Sequence, residues 1–402
     1  MAEQGLVIVG ASLAGLRAVE TARSSGFTGP ITLIGAEDHL PYDRPPLSKE
    51  FLAVGEPPDT RFCEENALRE ELGVDLRLGT GATGLDTADR VVHVGDVSVP
   101  YSALVIATGA AARTLPIDPR LAGVHTLRTL DDAAAVRAAL DAGARTVVVG
   151  AGFIGSEVAS AARRRGLPVT IVEAAPVPLT RSVGTRMGGL LGDLHRKHGV
   201  DLKLGAGVDL VKGEDTVEAV VLADGTTLPT DLVVVGVGAA PATQWLAGAV
   251  DLDERDGGVV CDRTLRTTAP GVYAAGDVCR WDSALFERPL RLEHWTSAAE
   301  QGATAARNAL DPAAAADYDT VPYFWSDWYD HRIQFVGDTH DSEVEVIDRA
   351  WDEDKLLALY RRGDIVVGAL TVNRPSLIMK FRRMIAGRTA WDEAVEFGRA
   401  RT

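Results

Sequence analysis

One pattern occurs twice in this sequence and limits the folds that are open to it. Residues 6–18 read LVIVGASLAGLRA and residues 146–158 read TVVVGAGFIGSEV, with their first glycines, Gly10 and Gly150, 140 positions apart. Each copy has a run rich in β-branched residues, a glycine turn, and then small and apolar residues at helical spacing. The pattern therefore predicts a strand, a tight turn and a helix at both places.

A second apolar run follows each copy and stops near an acidic residue. The first run, ITLIG, precedes Glu37, and the second, VTIV, precedes Glu173. Strand, helix and strand in this order form a βαβ unit, whose two strands are parallel. Two later apolar runs that end at glycine are predicted to be buried strands returning to the cofactor edge of each sheet, and the strand-end residues are Thr108, Gly109, Gly236 and Gly238.

The Gly150 turn has the glycine spacing of a dinucleotide-binding motif. The first glycine permits the tight turn, Gly152 lets the backbone approach a pyrophosphate, and Gly155 lets the helix pack closely on the strand. Phosphates would lie at the helix N-terminus, where Phe153 and Ile154 follow the turn. The turn therefore predicts a bound dinucleotide.

Glu173 indicates which dinucleotide binds at this turn. It follows Gly150 by 23 residues, close to the offset of about 20 residues that is typical of the acid that binds a ribose. A carboxylate there would repel a 2′-phosphate, and Ala174 and Ala175 supply no cation to offset this. NADH is therefore favoured over NADPH.

The Gly10 turn differs from the usual spacing at one position. Ser12 stands in place of the middle glycine, but serine is small and its hydroxyl could bind a phosphate at the start of the helix. Glu37, one step past the usual place, is the predicted ribose ligand. Two dinucleotide units predict one tightly bound FAD and one exchanging NADH. The alternative is one working site beside a relic.

The segment PYDRPPLSK, residues 41–49, follows the first unit. Its plain interpretation is a stiff polyproline turn. Beside a flavin, however, Arg44 and Lys49 could supply fixed positive charge, which stabilises the negative charge that a flavin gains on reduction. Glu157, on the helix after Gly150, could pair with Lys49.

Composition argues against several other functions. With 57 acidic and 41 basic residues, the net charge of −16 makes nucleic-acid binding improbable. The spacing of Cys63, Cys261 and Cys279 forms neither a C-x-x-C pair nor a four-cysteine zinc site, so no metal site is predicted. Three such cysteines suit the reducing cytoplasm.

No apolar run is long enough to span a membrane, and the N-terminus lacks the basic region of a signal peptide.

Together these motifs resemble the FAD-dependent ferredoxin reductases of bacterial oxygenase systems, along essentially the whole chain. The motifs that carry the resemblance are the Gly10 turn, RPPLSK at 44–49, ATG at 107–109, LRTL at 127–130, the Gly150 turn with Glu157, AGDV at 275–278, and WSD at 325–327.

The resemblance implies an α/β fold with two Rossmann-like domains arranged as in glutathione reductase, followed by a C-terminal α+β domain. The expected boundaries are 1–110 with 241–317 for FAD, 111–240 for NAD, and 318–402 for the C-terminal domain.

The resemblance also implies roles for individual residues. Lys49 would approach the flavin and pair with Glu157, and these two form the predicted catalytic pair. Asp277 could instead cap the helix that follows it, and the tryptophans could be ordinary core residues. The remaining implied contacts are Gly10, Ser12, Ala14 and Gly15 to the FAD pyrophosphate, Ala82 to the adenine, Arg128 to the phosphate or ring region, Asp277 to the ribityl chain, Trp295 to the pyrimidine edge, and Trp325 over the ring.

The predicted activity is transfer of a hydride from NADH to FAD, with electrons then passing singly to an iron–sulfur ferredoxin that feeds a monooxygenase or dioxygenase. Disulfide- and peroxide-reducing relatives carry a cysteine where this chain has Asp43-Arg44-Pro-Pro. The alternatives are a rubredoxin reductase, an NADH-dependent flavin oxidase, or a flavin redox sensor that docks a partner. The candidate docking residues, which could also be a solvated helix face, are Lys380, Arg382, Arg383 and Arg388.

Overall fold

The computed structural model describes residues 5–117, 121–350 and 354–401. Its internal contacts divide the chain into two units, each assembled from separate stretches. The first unit comprises Met1–Asp43, Thr60–Ala111 and Ala240–Tyr323, and the second comprises Arg44–Asp59, Ala112–Ala239 and Phe324–Thr402.

Short strands make up most of the regular structure. The strands are β1 (Leu6–Val9), β2 (Ile31–Ile34), β3 (Val74–Arg77), β4 (Ala82–Asp86), β5 (Val91–Val94), β6 (Val97–Pro100), β7 (Ala103–Ile106), β8 (Ala110–Ala112), β9 (Val124–His125), β10 (Thr146–Val149), β11 (Val169–Glu173), β12 (Asp201–Leu204), β13 (Val208–Gly213), β14 (Val217–Leu222), β15 (Thr227–Pro229), β16 (Leu232–Val235), β17 (Ala239–Pro241), β18 (Val259–Cys261), β19 (Val272–Ala274), β20 (Cys279–Ser283), β21 (Arg288–Arg291), β22 (Tyr323–Trp328), β23 (His331–Gly337), β24 (Glu343–Ala350), β25 (Lys355–Arg362) and β26 (Ile365–Val372). The helices are α1 (Leu13–Ser24), α2 (Leu130–Asp141), α3 (Phe153–Arg164), α4 (Thr180–Lys197), α5 (Trp295–Leu310), α6 (Pro375–Ala386) and α7 (Trp391–Arg399).

A five-stranded parallel sheet forms the centre of the first unit, in the order β19-β7-β1-β2-β3. Strands β1 and β7 are buried along their whole length, as expected for uninterrupted apolar runs in a parallel sheet. Helices α1 and α5 cross very closely, since a Cβ on Gly302 would lie 2.2 Å from the carbonyl oxygen of Ala14. Ala14 is therefore fixed by packing at the start of α1.

The stretch Leu76–Ala82 has a strand-like pattern in the sequence, but the prediction of one strand there is wrong in its bounds. Strand β3 ends at Arg77, and Ala82 instead begins β4, in a separate antiparallel sheet with β5 and β6. Gly79, whose φ is +77°, lies in the turn between them. A backbone in this region does not continue a strand.

The second unit has its own parallel sheet, in the order β12-β11-β10-β16-β9. Its C-terminal part is a five-stranded sheet in the order β22-β23-β26-β25-β24, and helices α6 and α7 pack against it. Thr129 caps α2 in a capping box with Asp132. The predicted α/β fold with two parallel sheets and a C-terminal α+β region is confirmed.

Within the described ranges, no helix combines the length and the apolar character needed to cross a membrane.

Candidate dinucleotide sites and the Glu157 cluster

The Gly10 turn connects β1 to α1 in a geometry that only glycine satisfies. Gly10 has a φ of +123°, and a Cβ on it would lie 2.0 Å from the carbonyl oxygen of Ala107, just past β7. A Cβ on Gly15 would lie 1.9 Å from the carbonyl oxygen of Gly10. Both glycines therefore let the helix begin directly above the strand ends.

The Gly150 turn repeats this geometry in the second unit. Gly150 has a φ of +105°, and its Cβ would lie 2.3 Å from the carbonyl oxygen of Gly236, at the end of β16. A Cβ on Gly155 would lie 2.1 Å from the carbonyl oxygen of Gly150. The two copies of the sequence pattern thus fold in the same way.

The middle position of each turn is different, because packing does not require glycine there. A Cβ on Gly152 would have no neighbouring atom nearer than 3.9 Å, and the backbone of this residue is extended. Ser12 occupies the equivalent N-cap position of α1, also with an extended backbone. The space at this position fits a pyrophosphate against the free N–H groups of the helix, and it explains why serine is tolerated.

Aromatic packing separates the two residues that follow the Gly150 turn. The ring of Phe153 packs on that of Phe324, with centroids 4.6 Å apart. Ile154 is 39% exposed. Ile154 is therefore exposed beside the helix N-terminus, whereas Phe153 is half-buried.

The structure places Glu173 at the Gly150 turn. It is the last residue of β11, and its carboxylate accepts hydrogen bonds from the backbone N–H groups of Ala151 and Ala175, at 2.7 and 2.8 Å. In the first unit, Glu37 follows β2 and accepts a bond of 2.6 Å from the hydroxyl of Tyr42. Each acid thus lies where the chain leaves the second strand of its sheet.

Lys49 and Glu157 form an ion pair inside the second unit, with Nζ and Oε2 3.0 Å apart. Glu157 is only 3% exposed. The hydroxyl of Ser48 also donates to Oε2, and the hydroxyl of Ser326 donates to Oε1 at 2.5 Å. We call these four residues the Glu157 cluster.

The two serines of this cluster were missed by sequence reasoning. Both serines lie in motifs that carry the family resemblance, RPPLSK and WSD, but the sequence predicts a function only for the charged and aromatic residues of these motifs. A serine carries no charge or periodic pattern that distinguishes a hydrogen-bond donor in a site from a surface residue.

Arg44 and Arg128 also meet in the second unit. The guanidinium of Arg44 donates to the carbonyl of Arg128, with Nη1 and O 2.7 Å apart. The backbone N–H of Arg128 in turn donates to Asp132, the residue that forms the capping box of α2. The start of α2 therefore holds both arginines in place.

Two predicted residues of the first unit, Asp277 and Trp295, lie at the two ends of the segment 276–295. Trp295 begins α5 and donates from Nε1 to Asp43 at 2.7 Å. Asp277 lies in the short 3₁₀ turn Gly276–Val278, so the alternative in which it caps the next helix is wrong. The cap of α5 is His294 instead, whose pKa is lowered to about 4 by burial.

The remaining predicted residues lie near strand ends or on β22. In the first unit, the hydroxyl of Thr108 donates to the carbonyl of Ala242 at 2.9 Å, and Gly109 has a φ of +67°. In the second unit, Gly238 has a φ of +101°, and the guanidinium of Arg332 lies 5.7 Å from the ring of Trp325.

No disulfide bond links the three cysteines. All three are free thiols, and two of them, Cys261 and Cys279, are buried. Burial raises the pKa of Cys63, with smaller contributions from Glu20 and Glu64, and burial also raises the pKa of Cys261. Thiols react as thiolates, so the raised pKa values make Cys63 and Cys261 less reactive at neutral pH. In the part of the chain that the structure describes, no group of three metal-ligating side chains occurs.

Known proteins share these features. The sequence pattern of the pyridine nucleotide-disulphide oxidoreductases matches residues 4–302, and that of the reductase C-terminal domain matches residues 323–397. The anthranilate 1,2-dioxygenase system ferredoxin–NAD(+) reductase component of Burkholderia cepacia is 37% identical over 393 residues, which are 96% of this chain and 95% of that protein. The corresponding component of the biphenyl dioxygenase system of Paraburkholderia xenovorans is 35% identical over 394 residues, covering 96% and 94%.

A solved structure is also similar to this chain. The crystal structure of the covalent putidaredoxin reductase–putidaredoxin complex superposes with a TM-score of 0.90 at 32% identity, covering 96% of this chain and 94% of the other. The chain therefore belongs to the pyridine nucleotide-disulphide oxidoreductase family and, within it, to the ferredoxin reductases of oxygenase systems.

Proposed function

We propose that this protein is an NADH-dependent, FAD-containing reductase that passes electrons to an iron–sulfur ferredoxin, which in turn feeds a monooxygenase or dioxygenase. The observation that carries the proposal is the pair of glycine turns. In each turn the first and third glycines leave no room for a methyl group, whereas the middle position does not need glycine: it is open at Gly152 and is occupied by Ser12 in the first turn. Two such turns in one chain are what a reductase with one resident and one exchanging dinucleotide requires.

FAD belongs to the first turn in this proposal. Gly10, Ser12 and Gly15, with the backbone of Ala14, hold its pyrophosphate at the N-terminus of α1, and Glu37 binds the ribose. Bound FAD supplies the chemistry that side chains lack, since it takes two electrons from NADH and releases them one at a time. The further FAD contacts that we propose are those of Ala82, Thr108, Gly109, Arg44, Arg128, Asp277, Trp295 and Trp325.

NADH binds at the second turn. The N–H groups at the start of α3, next to Gly152, receive the pyrophosphate, and the carboxylate of Glu173 receives the ribose hydroxyls. This carboxylate repels the 2′-phosphate of NADPH. The further contacts that we propose are those of Gly150, Phe153, Ile154, Gly155, Gly236 and Gly238.

The ammonium group of Lys49 supplies fixed positive charge to the flavin. A cation at a fixed position stabilises the reduced form without the reorganisation that water would need. Glu157 holds this ammonium group through the 3.0 Å ion pair. Its partial burial, with 11% of the lysine side chain exposed, makes the charge more effective than one in bulk water.

We assign FAD to residues 1–110 and 241–317, NADH to 111–240, and a third, partner-facing domain to 318–402. Three free cysteines and the use of NADH are in keeping with an activity in the cytoplasm.

One experiment tests the proposal directly. The purified protein should show a flavin spectrum that NADH bleaches, and it should reduce cytochrome c with NADH only when an oxygenase ferredoxin is added. A protein that does not bind FAD contradicts the proposal. Ferredoxin-independent consumption of oxygen would indicate an oxidase, and a long-lived reduced state with poor one-electron turnover would indicate a redox sensor.

A further inference from the structure

Ser326 lies in β22 and connects the C-terminal region to Glu157. Its side chain is completely buried. Its Oγ lies 2.5 Å from Oε1 of Glu157 and 2.8 Å from Nε1 of Trp328. The hydroxyl is therefore the middle member of a chain of hydrogen bonds that ends on the carboxylate.

The direction of these bonds follows from the donors present. The indole N–H of Trp328 can only donate, so the oxygen of Ser326 must accept this bond. The single hydroxyl proton of Ser326 then remains for Glu157. The carboxylate thus accepts from Ser326 at one oxygen, and from Ser48 and Lys49 at the other.

Both oxygens need a partner for the carboxylate to hold one orientation. The terminal torsion of a glutamate side chain is broad and does not fix the carboxylate plane by itself. If Ser326 lost its hydroxyl, Oε1 of Glu157 would be a buried acceptor without its donor, which is strongly unfavourable. The carboxylate would then rotate to share the donors at Oε2, and the ion pair with Lys49 would lose its fixed direction.

We propose that Ser326 is a positioning residue of the reductase, which fixes the carboxylate of Glu157 and, through it, the ammonium group of Lys49. This inference rests on the proposed function, in which Lys49 supplies positive charge to the flavin. It gives the C-terminal region a part in setting the potential of FAD, in addition to any surface that it offers to a ferredoxin.

The chain offers a matched control for this role. Ser160 is also buried, at 2% exposure, and it lies on the same helix as Glu157. Its hydroxyl oxygen accepts a bond of 2.5 Å from the backbone N–H of Tyr329, next to the end of β22. Ser160→Ala therefore loosens the same contact between α3 and the C-terminal sheet without removing a donor to Glu157.

The test compares these variants as FAD-loaded full-length proteins. The readouts are the midpoint potential of FAD, measured by reductive titration, and the rate of flavin reduction by NADH in stopped flow. Ser326→Ala should lower the potential and slow reduction about tenfold, because a less fixed ammonium group stabilises reduced flavin less well. Ser326→Thr should restore most of both, and Ser160→Ala should leave the rate within about twofold of the parent.

A double variant tests whether Ser326 acts through Glu157. In the Glu157→Gln background, Ser326→Ala should add no more than about a twofold effect, since the carboxylate that it orients is gone. If Ser326→Ala does not fold, Ser326→Cys gives the same comparison, because a thiol of similar size is a much weaker donor. A full tenfold effect in the Glu157→Gln background would overturn the proposal, as would equal behaviour of Ser326→Ala and Ser160→Ala.

Failure of this inference is distinguishable from failure of the proposed function. A parent protein that binds FAD but is not reduced by NADH contradicts the proposed function, while the potentials of the variants still decide the role of Ser326. A parent that is reduced normally, with a Ser326→Ala variant of unchanged rate and potential, contradicts the positioning role alone.

Discussion

Nδ1 of His195 lies 2.7 Å from the hydroxyl oxygen of Tyr329 in the interior of the second unit. The imidazole is completely buried, bonds through Nε2 to the hydroxyl of Ser156 at 3.1 Å, and stacks on the ring of Trp328. The imidazole thus packs against the last residue of β22, the strand that also contains Ser326. Burial lowers the pKa of His195 from 6.5 to about 3, so the ring is neutral at physiological pH.

This histidine makes the protein sensitive to acid. Between about pH 6.5 and pH 3 the unfolded chain binds a proton at His195 that the folded chain excludes, so the free energy of unfolding falls as the pH falls. The slope is up to about 1.4 kcal/mol per pH unit for one such group. His294, with its pKa lowered to about 4 by burial, adds a loss of the same sign. Urea unfolding at pH 7.5, 6.5 and 5.5 measures the effect.

The His195→Asn variant isolates this contribution. It should be less stable at pH 7.5 by about 1–3 kcal/mol, since it loses packing and a hydrogen bond, but its stability should fall less steeply toward pH 5.5. Identical slopes in the parent and His195→Asn would show that this residue is not the acid-sensitive group.

Lys49→Ala should slow the reduction of flavin by NADH about ten- to hundredfold and lower the potential of FAD, because the fixed charge beside the flavin is lost. Lys197→Ala is the matched control, since Lys197 is an exposed lysine of the same unit, paired with Asp354. Stopped-flow reduction and reductive titration measure the two quantities. If the rate of flavin reduction and the potential of FAD in Lys49→Ala both match the parent, Lys49 has only a structural role in its loop.

Glu173→Ala combined with Ala174→Arg should shift the ratio of kcat/KM for NADH and NADPH toward NADPH about a hundredfold. The change removes the carboxylate that repels the 2′-phosphate and adds a guanidinium that binds it. Glu173→Gln serves as the control, because its amide oxygen keeps one acceptor for the N–H groups of Ala151 and Ala175. An unchanged preference for NADH in the double variant would argue against Glu173 as the ribose ligand.

The two glycines Gly150 and Gly152 should respond differently to a methyl group. Gly150→Ala places a Cβ 2.3 Å from the carbonyl oxygen of Gly236 at a φ of +105°, and it should cost more than about 2 kcal/mol of stability. Gly152→Ala meets nothing nearer than 3.9 Å and should leave stability within about 1 kcal/mol, while it raises the KM for NADH at least about tenfold. Thermal unfolding and steady-state kinetics separate the two effects. Equal destabilisation by both substitutions would contradict this account.

Reversal of charge at Arg382 and Arg383, both changed to glutamate, should raise the KM for ferredoxin about tenfold and spare the reduction of ferricyanide. At a net charge of −16, this protein would bind an acidic ferredoxin through a local basic surface, and Arg382 and Arg383 are candidates for it. Arg196→Glu, an exposed change on α4, is the control. Parallel losses of ferredoxin and ferricyanide reduction would rule out a docking role for this pair.

The repeated pattern around Gly10 and Gly150 was enough to predict two βαβ units, because a strand, a turn and a helix are decided by neighbouring residues. The same reasoning from neighbouring residues predicts Glu173 as the ribose ligand from its distance along the chain. It failed at Ala82, where the chain turns at Gly79 before a new strand begins. Bounds of short strands depend on pairing with other strands, which periodicity does not encode.

The Glu157 cluster shows what only the tertiary structure decided. Charge suggested that Lys49 and Glu157 could pair, although they are 108 residues apart. Nothing in the sequence indicated that Ser326, 169 residues from Glu157, supplies the donor for the other carboxylate oxygen. The sequence determined which residue types were present and which local elements they form. Folding decided which donors reach a buried carboxylate, because hydrogen bonds depend on distance and direction in space and not on separation along the chain.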